Sequence, residues 1–296
     1  PVMYDQQNGG ERLEKKGGGW AGKLALALSL VAVALAATAL YLTLRGDGAE
    51  EPDPGPTIQF GGQSLDIVDG VPAAAYDEAC FSVDGRGRMS YEEGGRRART
   101  GIDVSVHQGE IDWLAVAEDG VEFAMLRLGY RGYTEGGLFL DSQFERNIRG
   151  ALDAGLEVGV YFFSQATSPE EAREEAEFVL SALEGYDLTY PVAFDWETVS
   201  SQDARTRGMG GEAITQCALA FCDRVREAGY EPAVYFNQHL GYLYYDLRAL
   251  TEYPIWLAEY DGTPDFYYHF DLWQYTHTGE VDGIQGDVDL NLDLRF

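Results

Sequence analysis

The sequence predicts an α/β protein, an irregular (β/α) barrel that is TIM-like with incomplete helices, preceded by an N-terminal transmembrane helix. Two observations support this prediction. An uncharged apolar run occupies residues 24–44, and from about residue 99 short β-rich runs alternate with amphipathic helical patterns. Such alternation predicts a parallel sheet with helices outside. Because the helical stretches shorten late in the chain, the barrel is expected to be incomplete in its helices.

The composition excludes several classes of protein. The 296 residues include 50 acidic and 21 basic side chains, a net charge of −29, which argues against a nucleic-acid partner because phosphates require a basic face. Three cysteines are too few for a disulfide scaffold. The sequence contains neither a zinc-binding spacing nor a phosphate-loop pattern. We therefore expect no metal, no cofactor and a monomeric protein.

The apolar run at residues 24–44 predicts a membrane anchor. It holds 21 uncharged residues, and a helix needs about 20 to cross a bilayer. Basic residues precede the run and acidic residues dominate after it. The positive-inside rule then predicts a cytoplasmic tail at residues 1–20, a single span at residues 21–45 and an extracellular remainder in the cell membrane. The alternative is a signal peptide cleaved at the small residues between positions 34 and 39, with secretion of the rest.

Residues 46–98 are predicted to be an extracellular linker followed by a small hairpin region. Residues 46–57 are rich in proline, glycine and acidic residues, which is typical of a linker. An Asp-Gly turn at Asp84–Gly85 separates short alternating segments between Phe81 and Tyr91, a pattern that favours a β-hairpin. The sequence assigns no function to this region.

The barrel domain is assigned to residues 99–296. One predicted helix begins near Asp141, and another opens with Ser168 as its N-cap and Pro169 at the first helical position. A third helix runs from Ile214 to about Val225. The eight predicted strands are residues 101–106, 122–128, 157–163, 192–196, 232–236, 255–258, 271–275 and 287–290.

The three cysteines are expected to be free thiols. Cys217 and Cys222 lie five positions apart on the third predicted helix, so they point about 140° apart. A disulfide requires converging Cβ vectors, and this spacing does not provide them. Cys80 lies far away in the hairpin region and has no expected partner.

Acidic residues stand on three of the predicted strands: Asp103 on the first, Asp195 and Glu197 on the fourth, and Asp289 on the last. Since strand side chains alternate, Asp195 and Glu197 face the same side, roughly 6–7 Å apart. In such barrels chemistry occurs at the carboxyl ends of the strands. Neighbouring carboxyl groups raise one another's pKa, so one can donate a proton near neutral pH. Such pairs indicate glycoside hydrolysis; a Mg²⁺ or Ca²⁺ site is the competing interpretation.

Side chains near the strand ends are candidates for binding a sugar. Aromatic rings stack on pyranose faces, and about half of the aromatic candidates are expected to be barrel core instead. The aromatic candidates are Tyr130, Tyr161, Phe163, Tyr235, Trp256, Tyr260, Trp273 and Tyr275. Arg127 and Gln274 are candidates either for bonding substrate hydroxyls or amides or for orienting the carboxylates. The predicted substrate-binding set is Arg127, Tyr130, Tyr161, Phe163, Tyr235, Trp256, Glu259, Tyr260 and Gln274.

Taken together, these residues resemble glycoside hydrolase family 25, the muramidases of the Chalaropsis type. No single motif is decisive, but the motifs occur in order with plausible spacing and cover residues 100–296. The matching stretches are residues 101–105, 108–113, 123–130, 141–147, 159–164, 195–197, 256–260, 272–275 and 288–291.

The resemblance implies a cofactor-independent enzyme that cleaves the β-1,4 bond between N-acetylmuramic acid and N-acetylglucosamine in peptidoglycan glycan strands. By position, Glu197 is the general acid, with Asp103, Asp195 and Asp289 as the surrounding acidic cluster. In the second step, either the substrate N-acetyl group attacks with help from Asp195, or an aspartate assists water. A catalytically silent glycan-binding barrel and a different polysaccharide hydrolase remain alternatives; the presence of all four acids disfavours the silent barrel.

Overall fold

The computed structural model describes residues 55–260 and 262–295. The predicted cytoplasmic tail, the predicted transmembrane segment and the linker up to residue 54 lie outside these residues. Within the described ranges, no helix combines the length and the apolar character needed to cross a bilayer. The prediction of an N-terminal anchor therefore rests on the sequence.

The chain divides into two compact units, residues 1–67 and 68–296. In the first unit, strand β1 (Thr57–Phe60) pairs antiparallel with β2 (Gln63–Asp66). The turn between them is Gly61-Gly62, and both glycines have the positive φ values that other residues rarely adopt.

The second unit contains a closed barrel of eight strands. Its strands neighbour one another around the barrel in the order β6, β7, β9, β10, β11, β12, β13 and β14, and β14 pairs again with β6. A short strand, β8 (Leu138–Leu140), extends β7 as an antiparallel edge. The barrel strands are β6 (Arg99–Val104), β7 (Phe123–Arg131), β9 (Glu157–Ser164), β10 (Val192–Trp196), β11 (Pro232–Asn237), β12 (Ile255–Ala258), β13 (Leu272–Gly279) and β14 (Val288–Asp293). The closed α/β barrel is confirmed.

One strand corrects the predicted parallel sheet. Strand β14 runs antiparallel to both of its neighbours, β13 and β6, while the other barrel strands are parallel. The physical reason is the length of the connection. Only residues 280–287 join β13 to β14, fewer than the dozen or so residues that a parallel crossover needs.

Five helices accompany the barrel within the described residues, and the predicted N-cap at Ser168 is confirmed. The Ser168 hydroxyl accepts a hydrogen bond from the backbone N–H of Glu171, and proline follows at the first helical position. The helices are α1 (Trp113–Glu118), α2 (Phe144–Asp153), α3 (Pro169–Ala182), α4 (Gly211–Glu227) and α5 (Gln238–Leu243). Helices α2 and α3 pack on β7 and β9, and α4 packs on β10 and β11.

The outer face of β13 and β14 is covered by the segment 68–98 instead of a helix. The predicted hairpin is confirmed: β3 (Phe81–Val83) pairs antiparallel with β4 (Met89–Glu93), and β4 pairs with β5 (Arg96–Arg97). The Phe81 ring lies edge-on to Trp273 of β13 at 5.4 Å, and β4 contacts β14. The compact unit therefore includes residues that precede the first barrel strand.

The barrel interior is filled at the amino ends of its strands. The Phe123 ring stacks on Tyr190 at 4.3 Å. Gly101 makes room for Phe123, because a Cβ there would lie 2.2 Å from the ring. Apolar packing thus closes this end of the barrel and leaves the carboxyl ends of the parallel strands free to form a groove.

Candidate active site

A groove of about 350 Å³ opens at the carboxyl ends of the parallel barrel strands. It brings together all four acids singled out in the sequence. Its lining residues are Asp103, Tyr161, Asp195, Glu197, Tyr235, Asn237, Trp256, Tyr260, Gln274 and Asp289.

The four acids reach the groove from three strands. Asp195 is the penultimate residue of β10, and Glu197 follows directly after that strand. Asp103 lies near the carboxyl end of β6 and pairs across the sheet with Asp289. Because β14 is antiparallel, Asp289 enters the groove from the beginning of its strand. Asp289 was predicted to lie at the carboxyl end of a parallel strand. It does lie near Asp103, but the predicted direction of its strand is wrong.

Asp103 is held by amide donors inside the barrel. Its Oδ2 atom accepts hydrogen bonds from Gln274 Nε2 and Asn291 Nδ2, each at 2.8 Å. The Gln274 side chain is oriented in turn by the hydroxyls of Tyr235, at 2.9 Å, and Tyr260, at 2.6 Å. Burial, followed by the nearby charge of Asp289, raises the pKa of Asp103 well above its usual value, although the two amide bonds oppose the shift. The network fixes this carboxyl group in one orientation.

Asp195 has a different environment. Its Oδ1 atom is buried and has no hydrogen-bond partner among the described residues. Burial, followed by the charges of Glu197 and Asp103, raises the pKa of Asp195 well above its usual value, and Arg127 lowers it. A buried acceptor without a donor is costly, so this oxygen is available to a donor supplied by a ligand.

Glu197 and Asp289 are partly buried at the mouth of the groove. Burial and the charge of Asp289 raise the pKa of Glu197. Burial raises the pKa of Asp289 to about 6, with the charge of His277 opposing it. Close acids in a poorly solvated site cannot all ionise together, so the groove can hold a proton on a carboxyl group near neutral pH.

Five of the predicted substrate-binding residues line the groove: Tyr161, Tyr235, Trp256, Tyr260 and Gln274. Tyr260 keeps 43% of its surface exposed while its hydroxyl is engaged with Gln274, so its ring is accessible to a ligand. The indole of Trp256 packs edge-on against Tyr161 at 5.8 Å and donates to Asn291 Oδ1 at 2.8 Å. These two rings form part of the groove floor.

The other four predicted substrate-binding residues do not line the groove. Arg127 donates to Asp141 Oδ2 at 2.8 Å and lies over the Tyr130 ring. Phe163 is partly buried on β9, opposite Asp195 in the sheet. Glu259 accepts the backbone N–H groups of residues 265 and 266, and burial raises its pKa to about 7. These contacts indicate that Arg127 and Glu259 support neighbouring residues of the barrel.

The remaining aromatic candidates, Trp273 and Tyr275, are buried core residues. Two amide side chains at the site, Asn237 and Asn291, were not predicted from the sequence. Asn237 lines the groove, and its Oδ1 caps α5 by accepting from the backbone N–H of Leu240 at 3.0 Å. Asn291 bonds Asp103 from β14. Asn237 follows an apolar run just as the acids do, so a search for amides as well as acids at strand ends would have found it.

Among the described residues, no group of three or more histidine, cysteine, aspartate or glutamate side chains is arranged to hold a metal ion. The Oδ2 atom of Asp103 already accepts two hydrogen bonds from amide N–H groups, which compete with a cation for this oxygen. The geometry thus fits acid–base chemistry on carboxyl groups.

Comparison with known proteins identifies the family. A sequence model of glycosyl hydrolases family 25 matches residues 102–284. The chain belongs to this family. The match includes Asp103, Asp195 and Glu197, and Asp289 lies just beyond it. The family match and the acidic groove thus involve the same residues.

Relatives within the family include lysozymes and autolysins. The autolytic lysozyme of Clostridium acetobutylicum is 30% identical over 197 residues, which cover 64% of this chain and 54% of that protein. The chain thus spans about half the length of that relative. The lysozyme of Streptomyces coelicolor superposes with a TM-score of 0.56 at 25% identity, covering 67% of this chain and 92% of the other. The autolysin LytC from Streptococcus pneumoniae, in complex with a synthetic peptidoglycan ligand, superposes with a TM-score of 0.60 at 22% identity, covering 80% and 61%.

Proposed function

We propose that this chain is a muramidase, which hydrolyses the β-1,4 bond between N-acetylmuramic acid and N-acetylglucosamine in peptidoglycan. The observation that supports this most directly is the convergence of Asp103, Asp195, Glu197 and Asp289 in one groove of a family 25 barrel. Paired carboxyl groups flanking a bound sugar are the equipment of glycoside hydrolysis. Since one chain supplies all four acids, we expect a monomer to be active without a cofactor.

In the proposed mechanism Glu197 protonates the oxygen of the scissile bond. It is the groove acid that follows β10 at the mouth of the groove, and burial raises its pKa. A general acid must carry its proton at the working pH and must reach the leaving oxygen. The raised pKa supports the first requirement, and its place in the groove lining supports the second.

Asp195 is proposed to assist bond cleavage through the substrate. Its unpaired Oδ1 atom suits it to accept the N–H of a substrate acetamido group, whose oxygen bonds to the anomeric carbon as the glycosidic C–O bond breaks and Glu197 protonates the leaving oxygen. In the second step water attacks the anomeric carbon, the bond to the acetamido oxygen breaks, and the Glu197 carboxylate takes the proton from the water. Asp103 is less suited to bind the acetamido group, because its Oδ2 already accepts two amide hydrogen bonds. Asp103 and Asp289 then stabilise the positive charge that develops on the sugar.

Mass spectrometry of digested peptidoglycan tests the proposal. The native protein should release fragments with reducing-end muramic acid. Glu197→Gln keeps the shape but removes the titrating group, so activity should fall by about 10²-fold or more while the fold persists. Asp287→Asn, which changes an exposed acid two residues from Asp289, serves as the control and should keep native activity.

The possible products separate the alternatives. Native activity in Glu197→Gln would refute the assignment of the acid. Fragments with another reducing end would indicate a different polysaccharide hydrolase. A complete lack of products over the whole pH range, together with retained binding to glycan strands, would favour the silent barrel.

We also propose that residues 21–45 anchor the chain in the cell membrane with the barrel outside. The support is the uncharged run of residues 24–44 and the contrast of basic residues before it with acidic residues after it. Protease added to intact cells should degrade the barrel and spare the N-terminal tail, whereas lysed cells should lose both. Protection of the barrel in intact cells would refute this orientation. Release of the barrel into the medium without protease would favour signal cleavage and secretion.

A further inference from the structure

Gln165 lies behind the proposed acid and is completely buried. Its Nε2 atom donates to two backbone carbonyl oxygens, that of Ser164 at 2.8 Å and that of Glu197 at 3.0 Å. Its Oε1 atom accepts from the hydroxyl of Thr206 at 2.8 Å. One buried side chain therefore connects the end of β9, the residue after β10 and the loop that follows.

Hydrogen bonds also connect the residues around Gln165 to helix α3. Arg205 donates to the Gln165 carbonyl oxygen at 3.1 Å and to Glu171 Oε1 at 2.5 Å. The hydroxyl of Ser164 donates to the buried Glu175 Oε2 at 2.6 Å. Glu171 and Glu175 both belong to α3. Gln165 is thus held from the outside of the barrel, on the side opposite the groove acids.

The hydrogen bond from Gln165 to Glu197 lies where the regular strand pairing ends. The ladder between β10 and β9 ends where Trp196 pairs with Ser164. Glu197 is the next residue, beyond the regular strand. The Gln165 amide bonds the Glu197 carbonyl oxygen at the point where the ladder stops, and so it replaces a strand neighbour with a side chain. Catalytic groups need such support, because misplacement by about 1 Å can cost 10²-fold in rate.

We propose that Gln165 is a positioning residue for Glu197: it fixes the backbone of Glu197 so that the carboxyl group stays in the groove mouth. The catalytic part of this inference rests on the proposed function, in which Glu197 is the general acid. The structural part, that Gln165 and Thr206 hold Glu197 in place, does not depend on what the enzyme cleaves.

Two variants of graded severity test this role. Gln165→Leu removes both donations to the carbonyl oxygens, and kcat should fall by about 10- to 100-fold with KM changed by less than about 3-fold. Thr206→Val removes only the hydroxyl that orients Gln165 and should produce a smaller loss in the same direction. The control is Thr215→Val, which removes a buried hydroxyl that bonds Gly211 and residue 246 in and after α4. It should leave kcat unchanged even where it lowers the melting temperature.

A second readout follows the proton on Glu197. Burial raises the pKa of this group, and a loosened backbone admits water, which returns the pKa toward its ordinary value. Activity requires protonated Glu197, so the alkaline limb of the pH profile should move to lower pH in Gln165→Leu. In the control variant this limb should not move, since a general loss of stability does not change the environment of Glu197.

Titration of the Glu197 carboxyl carbon by ¹³C NMR, assigned with Glu197→Gln, makes the test independent of turnover. A lowered pKa in Gln165→Leu, and a smaller decrease in Thr206→Val, would support the positioning role. An unchanged pKa in both variants would refute it. If the native protein cleaves no peptidoglycan, the proposed function fails, and the titration still decides whether Gln165 positions Glu197. If Gln165→Leu does not fold, Thr206→Val carries the test.

Discussion

Helices α2, α3 and α4 cover β7, β9, β10 and β11, whereas the segment 68–98 covers β13 and β14. We call these the helix-covered half and the segment-covered half of the barrel. In the first half, long amphipathic helices bury one apolar face each, as in α4, where Ile214 and Phe221 are fully buried. In the segment-covered half, aromatic rings of the hairpin bury the outer face of the strands instead. The comparison shows that the barrel needs its outer strands covered, while the kind of structure that covers them can differ.

The groove draws its acids from both halves. Asp195 lies on β10 and Glu197 directly follows it in the helix-covered half, and Asp289 lies on β14 in the segment-covered half. Asp103 lies on β6, which joins β14 to β7 and closes the barrel. The relative placement of the four carboxyl groups therefore depends on both kinds of cover, including residues that precede the family match at residue 102.

The largest expected effect is the loss of the segment. A chain that begins at residue 99 lacks Phe81 and Tyr91, whose rings pack at 4.5 Å, and uncovers Trp273. Full burial of an aromatic side chain contributes about 1.5–3 kcal/mol, and about 1 kcal/mol corresponds to roughly 2–4 °C in a domain of this size, so the melting temperature measured by circular dichroism should fall by at least ~5 °C. A chain that begins at residue 68 retains the whole compact unit and is the matched control. An unchanged melting temperature for the chain from residue 99 would show that the segment is dispensable.

The sequence predicts the helix-covered half better than the segment-covered half. Strand β10 has its predicted bounds, and Ser168 caps α3 as expected, because apolar periodicity and capping are local signals. The direction of β14 and the packing of Phe81 on Trp273 depend on contacts between residues distant in the chain. Local patterns carry no such information, so the segment was assigned only a hairpin.

The candidate site shows the same division. Asp195 and Glu197 are recognisable together because alternation on one strand places them on one side. The donors to Asp103, Gln274 Nε2 and Asn291 Nδ2, come from residues more than 170 positions later. Their partnership exists only once β13 and β14 have closed the barrel against β6.

A smaller effect is expected from the ionic contacts that attach the segment to the barrel. Asp119, after α1, accepts from Arg86 Nη1 at 2.6 Å, from Arg88 and from the backbone N–H of Asp282 at 2.9 Å. Burial favours a higher pKa for Asp119, but the bonds from Arg88, Asp282 and Arg86 outweigh it and lower the pKa to about 2. A folded-state pKa below the unfolded value stabilises the fold above about pH 4, and this contribution is lost as the pH falls toward 2.

Asp119→Asn should therefore lower the free energy of unfolding at pH 6 by about 1–2 kcal/mol. Near pH 2 most of this difference should be lost, because the Asp119 carboxyl group is then about half protonated in the folded state and almost fully protonated in the unfolded state. Urea unfolding at the two pH values measures the difference. Glu118→Gln changes the exposed neighbouring acid and should alter stability by less than about 0.5 kcal/mol. A loss in Asp119→Asn that is equal at both pH values would show that the charge of Asp119 is not responsible.

The smallest expected effect is measured through the reactivity of the cysteines, which report on the opening of each half. All three are free thiols, as predicted: Cys80 is partly exposed beside β3, whereas Cys217 and Cys222 are fully buried in α4. Burial raises the pKa of Cys217 to about 12, and thiolate is the reactive form. Alkylation followed by mass spectrometry should therefore label Cys80 alone in the folded protein and all three cysteines in denaturant. In mild urea, a rise of the Cys80 labelling rate above its rate in the folded protein, at urea concentrations where Cys217 and Cys222 stay unlabelled, would show that the segment opens before the helix-covered half. Asp119→Asn should then increase this urea-dependent part of the Cys80 rate by about 5- to 30-fold, the equivalent of 1–2 kcal/mol, while Cys217 and Cys222 stay unlabelled. A rise of all three rates at the same urea concentration would instead show that the two halves, although covered differently, unfold as one cooperative unit.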